Sequence, residues 1–212
     1  MRMHSGGDAT MRMHGALERM LRRYPYHVRW LSPENWQPQS AVGTMAVTLR
    51  EGVAHFLYCP GFVCECSEQE LEGVIHHEIN HLVLEHPQMD RLALPNRSAL
   101  TIAQEITVNE HVPEPLPGDP LTLAGFPELP PGESTLQRYH KLAQRDDLAD
   151  RTRTLDLHAM WTQGPMDPNS LADLDAMTQS VSAGMGRRCG RQWMHWAMSG
   201  LGLRPGHGLM DQ

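Results

Sequence analysis

Apolar positions in this chain recur at helical spacing in several stretches and alternate in one region. Pro- and Gly-containing segments separate these stretches. Ala16, Leu17, Met20 and Leu21 mark a first helix over residues 14–23. Residues 24–40 contain Pro and Trp without a period and read as irregular. Residues 42–50 and 53–58 alternate, and Glu51-Gly52 between them is a hairpin signal, so two strands are predicted. Ser67 with Glu70 three residues later is a capping-box pattern. Leu71, Val74, Ile75, Leu82 and Val83 follow at helical spacing until Pro87, which cannot donate to a helix ladder. A helix over 68–86 with a wide apolar face is predicted.

A further helix is predicted over 98–111, capped near Asn96 or Ser98 and ended by Pro113, with Ile102, Ile106 and Val108 as packing positions. Residues 112–133 are proline-rich and too long for an ordinary connection; they read as a loop lining a cleft or as a solvated linker. Residues 144–169 are polar and charged. Leu171, Leu174, Met177 and Val181 then resume helical spacing, and a Trp-containing stretch, Trp193–Leu203, follows. Met-Arg-Met-His at residues 1–4 recurs at 11–14 and reads as a disordered or mis-started leader. The expected division is a leader over 1–13, one domain over 14–145, and an extension over 146–212 that is loose and then helical.

The helix over 68–86 contains His77-Glu78-Ile79-Asn80-His81, the pattern H-E-x-x-H. Positions i and i+4 share one helix face, so two imidazoles at this spacing can grip one zinc ion. The carboxylate between them can take a proton from a water at the open coordination position. The bland alternative is a surface helix with two solvated histidines. The cap, the apolar face and the proline stop argue instead for a helix packed in a core.

A tetrahedral catalytic zinc takes a third protein ligand. His86 is one candidate, but five residues beyond His81 advance a helix by about 140°, which points it away unless the helix has already ended. Glu105 on the next helix is the other candidate. A loop of about ten residues lets the two helices pack antiparallel and bring this acid to the metal. Glu105 and Asn109 stand at i and i+4 on that helix. Glu105 is the expected ligand, with His86 and Asn109 as supporting or alternative groups.

Leu57-Tyr58-Cys59-Pro60-Gly61-Phe62, the capped helix start at Ser67–Leu71, the stretch Val74–Leu82 and His86 together resemble a bacterial metallopeptidase domain often associated with a von Willebrand A-like domain. That family follows its H-E-x-x-H helix with Asn-Ile-Ala-x-Asp-x-x-x-Asn, matched here by Thr101-Ile102-Ala103-Gln104-Glu105-Ile106-Thr107-Val108-Asn109. Glu105 stands for the family's Asp and Thr101 for its Asn. Ser134–Leu142 is similar to a later family helix with a tyrosine near Tyr139, and Asp156-Leu157-His158 with Trp161 echoes Asp-x-His-x-x-Trp. The resemblance implies a zincin-like fold and a metal site, with Tyr139 or His158 as candidate oxyanion stabilisers. It implies no substrate.

The expected fold is α+β and zincin-like, with the H-E-x-x-H helix on a small β-sheet and a following helix carrying the acidic ligand. Either strand, Thr44–Leu49 or Val53–Tyr58, could present an edge to an extended peptide. The net charge of −7 and a pI near 6.0 argue against a nucleic-acid surface. No stretch reaches the apolar length of a membrane span and the N-terminus has no secretory apolar core, so a cytoplasmic location is expected. Cys59, Cys64, Cys66 and Cys189 lack C-x-x-C spacing and read as reduced thiols. The functional expectation is a peptidase with one Zn²⁺ per chain and Glu78 as general base. Its partners would be a peptide or protein substrate and a regulatory protein, with no nucleic acid and no membrane. The alternatives are a zincin-fold binding or regulatory protein with little proteolysis, and a zinc amidohydrolase acting on a non-peptide substrate.

Overall fold

The computed structural model describes residues 6–148 apart from 28, 51–52, 90–91, 93 and 146. The described chain is α+β: a three-stranded sheet and six helices. Helix α1 (Gly6–Arg23) begins well before residue 14. Ala9, Met13, Ala16, Leu17 and Met20 share one of its faces and are fully or almost fully buried. The repeated Met-Arg-Met-His segment therefore supplies part of a helix, and residues 6–13 are no disordered leader.

The sheet contains β1 (Trp36–Pro38), β2 (Met45–Arg50) and β3 (Val53–Tyr58), in the order β1-β3-β2. β2 and β3 pair antiparallel and β1 joins β3 in parallel. β1 lies in the stretch read as irregular, because three residues ending in proline carry no alternation. Trp36 pairs with Phe56 in register, and the two rings stack at 4.1 Å. The Trp36 indole N–H donates to the Trp30 carbonyl at 2.7 Å. Met45 and Val47 on β2, with Ala54, Phe56 and Tyr58 on β3, face the core, as a period of two requires. β3 is central: β2 pairs along its whole length and β1 covers its other edge over Phe56–Tyr58, while β2 lies at the side of the described sheet.

After a short helix α2 (Pro60–Glu65), helix α3 (Glu68–Val83) opens with the full capping box between Ser67 and Glu70. Every residue from Leu71 to Val83 is buried. Leu71, Val74, Ile75, Ile79, Leu82 and Val83 join α1 and the sheet in one apolar cluster. The helix ends three residues earlier than its periodicity suggested. Glu85 takes a φ of 57°, the left-handed region, and breaks the ladder before Pro87 is reached. His86 then opens a one-turn helix, α4 (His86–Met89).

Helix α5 (Arg97–Asn109) starts with the Asn96 side chain accepting from Ala99 N–H. Together with α6 (Thr135–Leu142), which has a second capping box from Ser134 and Gln137, it builds another apolar cluster. The proline-rich segment contributes Phe126 and Leu129 to that cluster, so it is a packed strap and not a solvated linker. α3 and α5 pack against each other where the two clusters meet. No helix among the described residues is long and apolar enough to cross a membrane. His158, Cys189 and the helical reading of the extension fall outside the described residues.

Candidate metal centre

α3 turns its apolar positions towards α1 and the sheet, which leaves His77 and His81 on the face towards α5. Glu105 comes from α5 to meet them. The Nε2 atoms of His77 and His81 stand 3.0 Å apart. Oε1 of Glu105 lies 3.4 Å from the His81 Nε2 and 3.7 Å from the His77 Nε2. Among the described residues, these three form a group whose ligand atoms all fall within 4.8 Å of one another, and all three are fully buried.

The donor set fits zinc. Two imidazoles and one carboxylate are one of the three-ligand sets that catalytic zinc takes, and they leave a fourth position open. Nitrogens bound to one tetrahedral zinc at its usual bond length would stand about 3.4 Å apart, so the two rings need to part only slightly. Burial adds a second argument. A carboxylate and two imidazoles without solvent are costly to assemble unless a cation or protons compensate them.

The ring tautomer of His77 is set by its neighbours. Its Nδ1 lies 2.8 Å from Oδ1 of Asn109, one helical turn beyond Glu105. The Asn109 amide donates from Nδ2 to the Leu121 carbonyl at 2.9 Å. That bond fixes which end of the amide is nitrogen, so Oδ1 accepts and His77 Nδ1–H donates. In a neutral ring this leaves the His77 Nε2 with a lone pair aimed at the cluster.

His86 does not join the trio. The early end of α3 does turn it inward, contrary to the straight-helix expectation, but its Nδ1 meets the Nδ1 of His81 at 2.9 Å. Its Nε2 meets the Thr135 hydroxyl at 2.9 Å, and its carbonyl accepts from Gln104 at 3.3 Å. It therefore stands behind His81 rather than beside it. Glu78 is fully buried next to His77 in sequence. Tyr139 packs in the second apolar cluster, and the hydrogen bonds described for the site do not include it. Sequence reasoning missed Thr135 and the Leu121 carbonyl. A threonine at a helix start and a backbone oxygen in a proline-rich strap carry no signal of their own.

A second polar cluster adjoins the first, and nothing in the sequence pattern announced it. His76 Nδ1 meets Glu114 Oε2 at 3.0 Å, and the other oxygen of Glu114 accepts from Tyr24 at 2.8 Å and Arg23 at 3.0 Å. Glu72 on α3 pairs with Arg19 at 2.5 Å and Arg23 at 3.1 Å. Burial alone would raise the Glu114 carboxyl, but the hydrogen bonds from His76 and Tyr24 outweigh it and hold the group at about 2. Burial, with the nearby His76, pushes His27 down to about 3. Burial and the Glu114 carboxylate push the Tyr24 phenol up to about 12.

A family model described as "Putative metallopeptidase domain" matches residues 9–172, more than half of the chain. No curated protein and no solved structure matches the chain.

Proposed function

This chain belongs to the family described as "Putative metallopeptidase domain", and on that premise we propose that it is a zinc-dependent peptidase of the zincin type. The observation that carries the reading is the buried convergence of His77, His81 and Glu105 from two packed helices. A zinc ion held by these three would lower the pKa of a coordinated water and polarise the scissile carbonyl.

The chain's own residues do the rest. Asn109 keeps His77 in the tautomer that offers Nε2. Glu105 supplies a negative charge and reduces the net charge of the loaded site from +2 to +1. Glu78, one residue from His77 and about 100° round the helix from it, is the general base. It accepts the proton of the attacking water and returns it to the leaving amine.

Full burial of these groups has a consequence. A peptide reaches them only after a covering segment moves aside, which favours an enzyme that is latent until a substrate or partner opens it. The same burial supports the second reading, a zincin-fold binding protein that cleaves little. A base at position 78 argues for catalysis, since a scaffold needs none.

Glu78→Gln separates the two readings. Gln keeps shape and hydrogen bonding but cannot accept the proton, which costs roughly 10²-fold or more in rate. Digestion of a peptide library by wild type and variant should show cleavage products from wild type alone, with equal zinc in both. Identical cleavage by both proteins would place the activity elsewhere. No cleavage by either, with zinc present, would support a latent enzyme awaiting a partner or the binding protein.

A further inference from the structure

Residues 110–121 leave α5 at Asn109 and come back to it, because the Leu121 carbonyl accepts from the Asn109 amide at 2.9 Å. Between those two points the segment is pinned to α1 and α3. Glu114, whose side chain is only 7% exposed, takes Tyr24 at 2.8 Å and Arg23 at 3.0 Å on one oxygen and meets His76 at 3.0 Å with the other. The carbonyl of Pro115 fills the space that a Cβ on Gly73 would need. Leu116 then packs on the first apolar cluster.

The pinned segment is stiff. Pro113, Pro115, Pro117 and Pro120 each fix a backbone φ, and Gly118 supplies the one left-handed turn among them with a φ of 73°. A displacement at Glu114 is therefore carried to Leu121 instead of being absorbed on the way. The closed loop clamps the end of α5 against the middle of α3. That clamp acts one turn from the candidate ligands on both helices: Gly73 precedes His77 by one turn, and Asn109 follows Glu105 by one turn.

The clamp stands behind the site. At 100° per residue, His76 projects to one side of His77 and Glu78 to the other. The contacts of the strap at Gly73 and His76 thus lie away from the side on which Glu78 projects. They bear on the spacing of the helices and not on the approach to the base.

We propose that Glu114 is a positioning residue of the metal centre: it pins the strap against α1 and α3, and so sets the spacing of α3 and α5 at which His77, His81 and Glu105 converge. The proposal rests on the metal reading of that trio. Two ligands come from α3 and one from α5, so a change in helix spacing parts Glu105 from both imidazoles at once. No side chain near Glu114 needs to change its protonation for this effect.

The test uses the full chain, with zinc chloride and cobalt(II) chloride as probes. Chelator competition reads zinc affinity, and the visible absorption of bound cobalt reads the geometry of its ligands. Glu114→Ala cuts all three ties. Arg23→Gln with Tyr24→Phe cuts both ties from the α1 end and leaves the carboxylate in place, which keeps the test open if the first variant does not fold. Val42→Ala is the control, a truncation in a third apolar cluster that takes no residue from α3, α5 or the strap. Both strap variants should shift the cobalt spectrum, and Glu114→Ala should weaken zinc binding about 10- to 100-fold, the range for lost outer partners of metal ligands. Val42→Ala should lose stability in urea and keep the wild-type spectrum and affinity. Unchanged spectrum and affinity in the folded strap variants would overturn the clamp alone, as would an equal change in Val42→Ala. Wild type that takes up neither ion would overturn the metal reading and the clamp together.

Discussion

The carbonyl oxygen of Pro115 lies 2.3 Å from where a Cβ on Gly73 would stand. The proline-rich strap thus crosses α3 at a position that only glycine leaves open, one turn before His77. The adjoining Glu114 is held by Arg23, Tyr24 and His76, and further along the strap the Leu121 carbonyl orients Asn109. The strap is tied at one end to the N-terminal helix region and at the other to the tautomer of a candidate ligand.

Gly73→Ala should therefore do more than fill space. The nearest neighbour is backbone, which cannot rotate away, so the strap must shift. Overpacking of this kind typically costs about 1–3 kcal/mol. Urea unfolding should show the loss, and amide exchange should show faster opening across 114–121 than across α1.

Asn109→Leu keeps the volume but removes the acceptor for His77 Nδ1–H and the donor to Leu121. Zinc affinity by chelator competition should fall about 10- to 100-fold with the fold retained. An unchanged affinity would mean that the Asn109–His77 contact does not set the ligand.

Acid should destabilise the fold in two windows. His27 is held neutral by burial, at about 3 against an ordinary value of 6.5, so the unfolded chain binds more protons between these values. Its contribution is intact above about 6.5 and is lost as pH falls towards 3, at about 1.4 kcal/mol per unit. Glu114, at about 2 against 4.5, contributes above about 4.5 and loses that contribution as pH falls towards 2. Urea unfolding across pH should show His27→Phe flattening the slope between 6.5 and 4.5, and Glu114→Gln flattening it only below 4.5. Parallel slopes for wild type and both variants would show that neither group is linked to folding.

Much of the site was legible because its signals are local. The capping box at Ser67 and the i, i+4 histidines lie within one helix, and Glu105 falls one turn before Asn109 on the next. The α+β class followed from the alternation at 42–58. What stayed hidden depends on contacts distant in sequence. β1 is three residues that become a strand only by pairing with β3. His86 changed role because a left-handed Glu85 ended α3 early, and glutamate gives no warning of that conformation. The segment before residue 14 looked like a leader because its methionines repeat, yet Ala9 and Met13 extend the buried face of α1. Glu114 and Thr135 act through partners on other elements.

The central claim is that His77, His81 and Glu105 hold one metal ion, and elemental analysis of protein purified without added metal tests it most directly. Wild type should carry close to one equivalent of zinc, as a complete three-ligand set predicts. His77→Ala and His81→Ala should lose most of it. Glu105→Ala should weaken binding by orders of magnitude, and His86→Ala should cost less, about 10- to 100-fold in affinity, because it acts through His81. Full zinc retained in both histidine ligand variants, or a greater loss in His86→Ala than in Glu105→Ala, would contradict the account.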